Sequence, residues 1–156
     1  MELHVNMAEI NKVVAHLLDG RRIKGTTQDF FPNRNAFHIQ PTDGKPAMEI
    51  LVREMKALFF VRDLTGNKSH KAVRGFSRAT VSNAQGKKIA VRFKDGELLC
   101  GYTLSYSPER DSFFMLPADG GSNNLRVYVV TRSAAEIRVG PAAEALATKI
   151  TGQSAA

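Results

Sequence analysis

The stretch FPNRNAFHIQPTDG, residues 31–44, is followed 76 positions later by SPERDSFFMLPADG, residues 107–120. Both read Pro-x-Arg, then Phe, then Pro-x-Asp-Gly, at one spacing. Working outward, the same shift aligns Lys12–Gly44 with Lys88–Gly120 without a gap, and 11 of those 33 pairs are identical. They include Asp19-Gly20 with Asp95-Gly96, Gly25 with Gly101, Thr27 with Thr103, and Arg34 with Arg110. A two-residue insertion in the second copy then sets Val52–Val61 beside Val130–Val139. Self-similarity at one period predicts an internal duplication.

Each copy reads as an antiparallel meander. Val13, Ala15 and Leu17 alternate with Val14, His16 and Leu18, and Ile89, Val91 and Phe93 alternate with Ala90, Arg92 and Lys94. That is the period of a strand with one face inward. Asp-Gly follows at once in both copies, supplying the positive φ of a tight hairpin. The return strands RRIKGTTQDF and ELLCGYTLSY carry a glycine at the same place, which predicts a bulge or sharp bend. The Pro-x-Arg turns and three further short strands complete each copy.

The fold class expected is all-β: a tandem duplication of a five-stranded SH3-like or Sm-like small barrel, with a long basic linker and a short C-terminal helix or tail. The boundaries are residues 1–63 for the first repeat, 64–87 for the linker, 88–140 for the second repeat and 141–156 for the tail. The copies either close separately or share one core; a barrel of ~50 residues buries little surface alone, so packing between them is expected. Of the adjacent pairs Phe59-Phe60 and Phe113-Phe114, one member must face away from its own copy, and packing between copies is the reading adopted. Pro141 is placed to start an alanine-rich helix.

The net charge of +7 is unevenly spread. Residues 1–66 hold nine Lys/Arg against eight Asp/Glu, and residues 89–156 hold seven against seven. Residues 67–88 hold Lys68, Lys71, Arg74, Arg78, Lys87 and Lys88 with no acid, so the basicity belongs to the linker, read as mobile or loosely docked. Those six cations could bind nucleic acid nonspecifically by counterion release. No apolar run approaches the ~18 residues of a membrane span, and MELHVNMAEI has neither the basic flank nor the apolar core of an export signal. A membrane partner is not expected, and the expected compartment is the cytoplasm. The single cysteine, Cys100, fits that setting as a small buried hydrophobe or plain surface thiol.

No phosphate loop, nucleophile elbow or dinucleotide fingerprint occurs, and the four histidines lack ligand-spaced partners, so no catalytic residue, metal or cofactor is expected. Arg34 and Arg110 leave two readings open. Each guanidinium braces its own turn through a local acid or carbonyl, or the pair forms a matched grip on carboxylate or phosphate.

Two resemblances follow from these residues. The order LLDGRRIKG…FHI…MKALFF resembles an Sm-like barrel, without that family's RNA-pocket residues. The pattern V-x-x-x-x-DG-x-x-x-x-G-x-T…P-x-R…F…P-x-DG…SNN-x-R-V-x-V-V, over residues 12–63 and 88–139, resembles a bacterial family of unknown function whose domains occur alone, in tandem or beside PilZ domains. The resemblance implies a signalling neighbourhood built on cyclic-di-GMP. Arg74 and Arg78 match the R-x-x-x-R half of the PilZ ligand motif, but the second half is absent from ELLCGYTLSYS, so cyclic-di-GMP itself is not expected to bind. The functional expectation is a non-enzymatic adaptor that binds another protein. The alternatives are a nonspecific nucleic-acid binder using the linker and a cyclic-dinucleotide receptor.

Overall fold

A computed structural model of the chain describes residues 10–65, 75–76, 86–119 and 121–152. Ten strands run in chain order: β1 Asn11–Leu17, β2 Arg22–Thr27, β3 Ala36–Pro41, β4 Met48–Leu51, β5 Met55–Val61, β6 Lys87–Phe93, β7 Leu98–Thr103, β8 Ser112–Pro117, β9 Asn124–Val130 and β10 Ala134–Val139. One helix, α1 Pro141–Thr151, follows, and short 3-10 turns at Val52–Glu54 and Thr131–Ser133 precede β5 and β10.

All ten strands belong to one antiparallel sheet in the order β10-β6-β7-β8-β9-β5-β1-β2-β3-β4. This corrects the expectation of tandem five-stranded small barrels: the sheet is open, and of the two arrangements left open the halves take the shared one, fused through β5 and β9. The physical reason lies in β5, MKALFFV, which is buried at every position. A strand apolar on both faces cannot lie at the wall of one small barrel, because half of it would meet water.

The central ribbon feeds two cores on opposite faces. Leu58 and Phe60 of β5, with Tyr128 and Val130 of β9, pack on Val13, Ala15, Leu17, Phe37 and Ile39. Ala57, Phe59 and Val61, with Val127 and Val129, pack on Ile89, Val91, Phe93 and Phe113. Side chains alternate across a strand, so each of these strands supplies both cores. Phe59-Phe60 therefore splits between the two cores as expected, and Phe114 leaves Phe113 to join Tyr128 of its own half against Phe60 in the core of the first half.

Strand pairing repeats with the shift read from the sequence. Gly25 opposes Pro41 and Gly101 opposes Pro117. At each glycine a Cβ would lie 2.0 Å from the carbonyl oxygen of Gln40 or Leu116. Close backbone approach of the next strand is thus what demands glycine here. Gly20 and Gly96 each have φ of 95°, as the Asp-Gly hairpins require.

The register corrects the second part of the alignment. Ala36 opposes Leu51, while Ser112 opposes Val130; the shift is 112 − 36 = 76 on one strand and 130 − 51 = 79 on the other. The second copy therefore carries three extra residues, not two. Two bonds agree: Leu18 N–H donates to the Glu54 carbonyl and Lys94 N–H to that of Ser133. Under this shift Arg53 matches Arg132, an identity the two-residue gap concealed.

A third cluster covers the outer face of the second half. Leu146 and Ala147 of α1 pack with Ala90, Cys100, Tyr102 and Phe76. Cys100 is buried there. Most of the basic linker lies outside the described residues, but Phe76 is buried, its ring 6.0 Å from that of Tyr102. Lys87, assigned to the linker by sequence, opens β6.

The two ends of the sheet carry charge. On β10, Glu136 and Arg138 stand where β5 has Ala57 and Phe59, and Glu136 pairs with Arg138 at 2.9 Å and Arg92 at 3.1 Å. The four-residue β4 presents Glu49 to solvent. Short, charged edges discourage further strand pairing.

Candidate functional site: an arginine cleft between the halves

The Pro-x-Arg turns connect β2 to β3 and β7 to β8, and both close the same way: Arg34 N–H donates to the Phe31 carbonyl at 3.0 Å, Arg110 N–H to that of Ser107 at 3.1 Å. Each turn is tied to the 3-10 turn of its own half. Val52 N–H donates to the Asn35 carbonyl at 2.9 Å and Thr131 N–H to the Asp111 carbonyl at 2.8 Å. Because β5 and β9 are adjacent, the four turns converge on one cleft of about 650 Å³.

Tyr128 fixes the floor. Its hydroxyl donates to the Pro32 carbonyl at 3.1 Å, crossing from the second half to the first, and is also hydrogen-bonded to the Ser112 hydroxyl. Rigid elements beneath exposed side chains are the arrangement a binding site needs.

Arg34, Arg53, Arg110 and Arg132 line the walls, with Glu109 and Asp111 as the acids, leaving a formal +2 (four minus two). All four arginines are exposed. Among the described residues none of them pairs with a carboxylate; Arg34 lies over the Phe31 ring at 4.7 Å from its centre. The turns are closed by backbone, and among the described residues no bond from the Arg34 or Arg110 guanidinium to a local acid or carbonyl is seen. Elsewhere basic side chains are engaged: Arg21 with Asp19 at 2.8 Å, Lys56 with Asp95 at 2.7 Å and with Glu97.

The chain matches one family model, described as a family of unknown function (DUF6982), over residues 9–140. It belongs to that family. No curated protein and no solved structure matches it. The matched DUF6982 span contains both halves and hence every arginine of the cleft.

Of the residues singled out by sequence, the structure brings Arg34 and Arg110 together. Lys68, Lys71, Arg74 and Arg78 lie outside the described residues. Lys88 is tied to α1 through Glu144 at 3.0 Å, its ammonium 5.5 Å from the centre of the Phe76 ring. Lys87 is exposed and lines a second, smaller groove. Arg53 and Arg132 were missed. No alternation marks them: β9 ends in VYVV, buried at all four positions, so the three-residue gap shows only in the strand register.

One constellation resembles chemistry without being it. His38 Nδ1 and backbone N–H each lie 2.8 Å from Asp29, and Thr27 donates to the same carboxylate at 3.2 Å. Burial raises the Asp29 pKa, but these bonds outweigh it and hold the carboxyl below its ordinary range. Position 105, the counterpart of Asp29, is a serine whose hydroxyl accepts the Phe114 N–H at 3.4 Å. A task shared by Asp and Ser on the same backbone group is loop bracing. Among the described residues no three His, Cys, Asp or Glu side chains could hold a metal ion.

Proposed function

We propose that this chain is a non-enzymatic adaptor that seats an acidic segment of another protein in the arginine cleft. The observation that carries the reading is the set of four guanidiniums, paired across the halves and without carboxylate partners among the described residues. Guanidinium is the group best matched to carboxylate, because its planar fork donates two parallel hydrogen bonds. A protein partner is favoured over single-stranded nucleic acid for two reasons. The Tyr128 ring is buried and the Phe31 ring lies under Arg34, so among the described residues the cleft presents no open stacking face. Glu109 and Asp111 also interrupt the positive lining, which a peptide can accommodate by the spacing of its carboxylates and a backbone charged at every nucleotide cannot.

The setting proposed is the bacterial cytoplasm, in signalling neighbourhoods shared with PilZ proteins. No described helix is long and apolar enough to cross a membrane. Cyclic-di-GMP is not the proposed ligand, since only the Arg74/Arg78 half of its motif is present.

The test is fluorescence anisotropy of a labelled Asp/Glu-rich peptide and a single-stranded oligonucleotide of equal charge, at low and high salt. Wild type should bind the peptide, and Arg34→Gln/Arg110→Gln or Arg53→Gln/Arg132→Gln should weaken it roughly tenfold. Tight oligonucleotide binding that survives both double variants would move the activity to the linker cations and refute the adaptor reading.

A further inference from the structure

Beside the arginine cleft lies a groove of about 310 Å³ lined mainly by Leu104, Tyr106, Val139 and Lys87. Pro108 belongs to the walls of both, so the two are continuous across one residue. Leu104 is 82% exposed and Val139 37%. Two such side chains are ordinary by themselves; what singles them out is the place they hold in the repeat.

The first half shows what covers the corresponding place. Tyr106 packs edge-on to Phe113 at 4.9 Å, repeating Phe30 on Phe37 at 5.1 Å. Phe30, however, is also met by Tyr128 at 4.9 Å and Phe114 at 6.4 Å, both supplied by the other half. Under the shift of 79, Val139 stands for Phe60, which is buried and meets the Phe114 ring at 6.1 Å. So this end of a repeat receives aromatic side chains carried on extended strands of a neighbour. In the second half no ring among the described residues takes that place, and of the rings Tyr106 meets only that of Phe113. Lys87 adds a cation at the rim.

We infer that the acidic partner segment continues past Pro108 and inserts one bulky apolar side chain, aromatic by preference, between Leu104, Tyr106 and Val139. The partner is then an extended segment with carboxylates followed by an apolar anchor. The inference rests on the adaptor reading of the cleft and adds a second determinant. A second copy of this chain fits less well. Its available edge strands carry Glu49 on β4 and Glu136 and Arg138 on β10, and neither presents an aromatic side chain.

Two labelled peptides separate the determinants: one Asp/Glu-rich, the other identical but ending in Phe. Both are titrated into the full chain as wild type, Leu104→Ser, and Arg34→Gln/Arg110→Gln. Leu104 is mostly solvated, so its substitution leaves the fold intact. The anchored peptide should bind wild type about tenfold more tightly than the plain one, as partial burial of one large apolar side chain implies. Leu104→Ser should erase that difference, and the arginine variant should weaken both peptides. If the Phe anchor gives no gain, or Leu104→Ser leaves the gain intact, the groove is refuted while the cleft stands. If the arginine variant changes nothing but Leu104→Ser still matters, the cleft reading fails and the groove survives. Concentration-dependent self-association of wild type that Leu104→Ser abolishes would assign the groove to a second copy and overturn the inference.

Discussion

His16 makes the fold sensitive to acid in a way that can be isolated. It lies on β1 opposite Arg22 of β2 and Ala57 of β5, half-buried, its ring 4.3 Å from that of Phe59. Burial, with Arg22 and then Lys56 nearby, holds its pKa down from 6.5 to about 4, against the smaller opposing pull of Glu97 and Asp95. The folded value lies below the unfolded one, so between them the unfolded chain takes up a proton that the folded chain refuses. The stabilising contribution is complete above pH 6.5 and is lost as pH falls towards 4. A shift from 6.5 to about 4 at ~1.36 kcal/mol per unit gives about 3 kcal/mol. His16→Phe keeps a ring against Phe59 and removes the titrating group. Asp19, Asp29 and Asp63, all held below the ordinary carboxylate range, add acid lability common to both proteins and cancel in the comparison; Asp95 is held down mainly by Lys56, with His16 the smallest contribution, so it cancels nearly. Urea unfolding at about pH 7.5 and about pH 4.5 should show wild type losing some 2–3 kcal/mol more than His16→Phe. Equal losses, or a His16 resonance titrating near its unfolded value, would refute the reasoning.

Gly25→Ala and Gly101→Ala should each cost upward of about 3 kcal/mol in urea unfolding, since the new Cβ would sit 2.0 Å from a backbone oxygen and the strands must part. A loss within ~0.5 kcal/mol would mean that this contact relaxes freely. Phe76→Ala should cost about 3–5 kcal/mol by emptying the site between Tyr102 and α1, and an unchanged midpoint would show that this segment does not dock in solution. Sedimentation should give the mass of one chain for wild type, whereas Glu136→Ala/Arg138→Phe, which restores on β10 the residue types of β5, should associate. Wild-type oligomers that form through the sheet edges would contradict the part assigned to Glu136 and Arg138.

Local chemistry decided what the sequence could show unaided. Period-two alternation, the Asp-Gly turns, the recurrent mid-strand glycines and Pro141 depend on neighbours a few residues away, and they placed the strands, the hairpins and the helix. The repeat also marked Arg34 and Arg110 as a matched pair. The partition of the cores was not local. MKALFFV calls for cover on both faces, but which segment supplies the second cover is not written in it, and only its pairing with β9 decided that. That pairing made one open sheet from what reads as two closed units. It brought the two Pro-x-Arg turns, which are 76 residues apart, into one cleft. Arg53 and Arg132 stayed hidden because the two-residue gap makes the better match, with Val52/Val130, Ala57/Ala135 and Val61/Val139 identical against Arg53/Arg132 alone. In the folded sheet that one-residue difference would turn every side chain of β9 to the wrong face. Hydrogen-bond register decides where similarity misleads, and it alone assembled the four arginines.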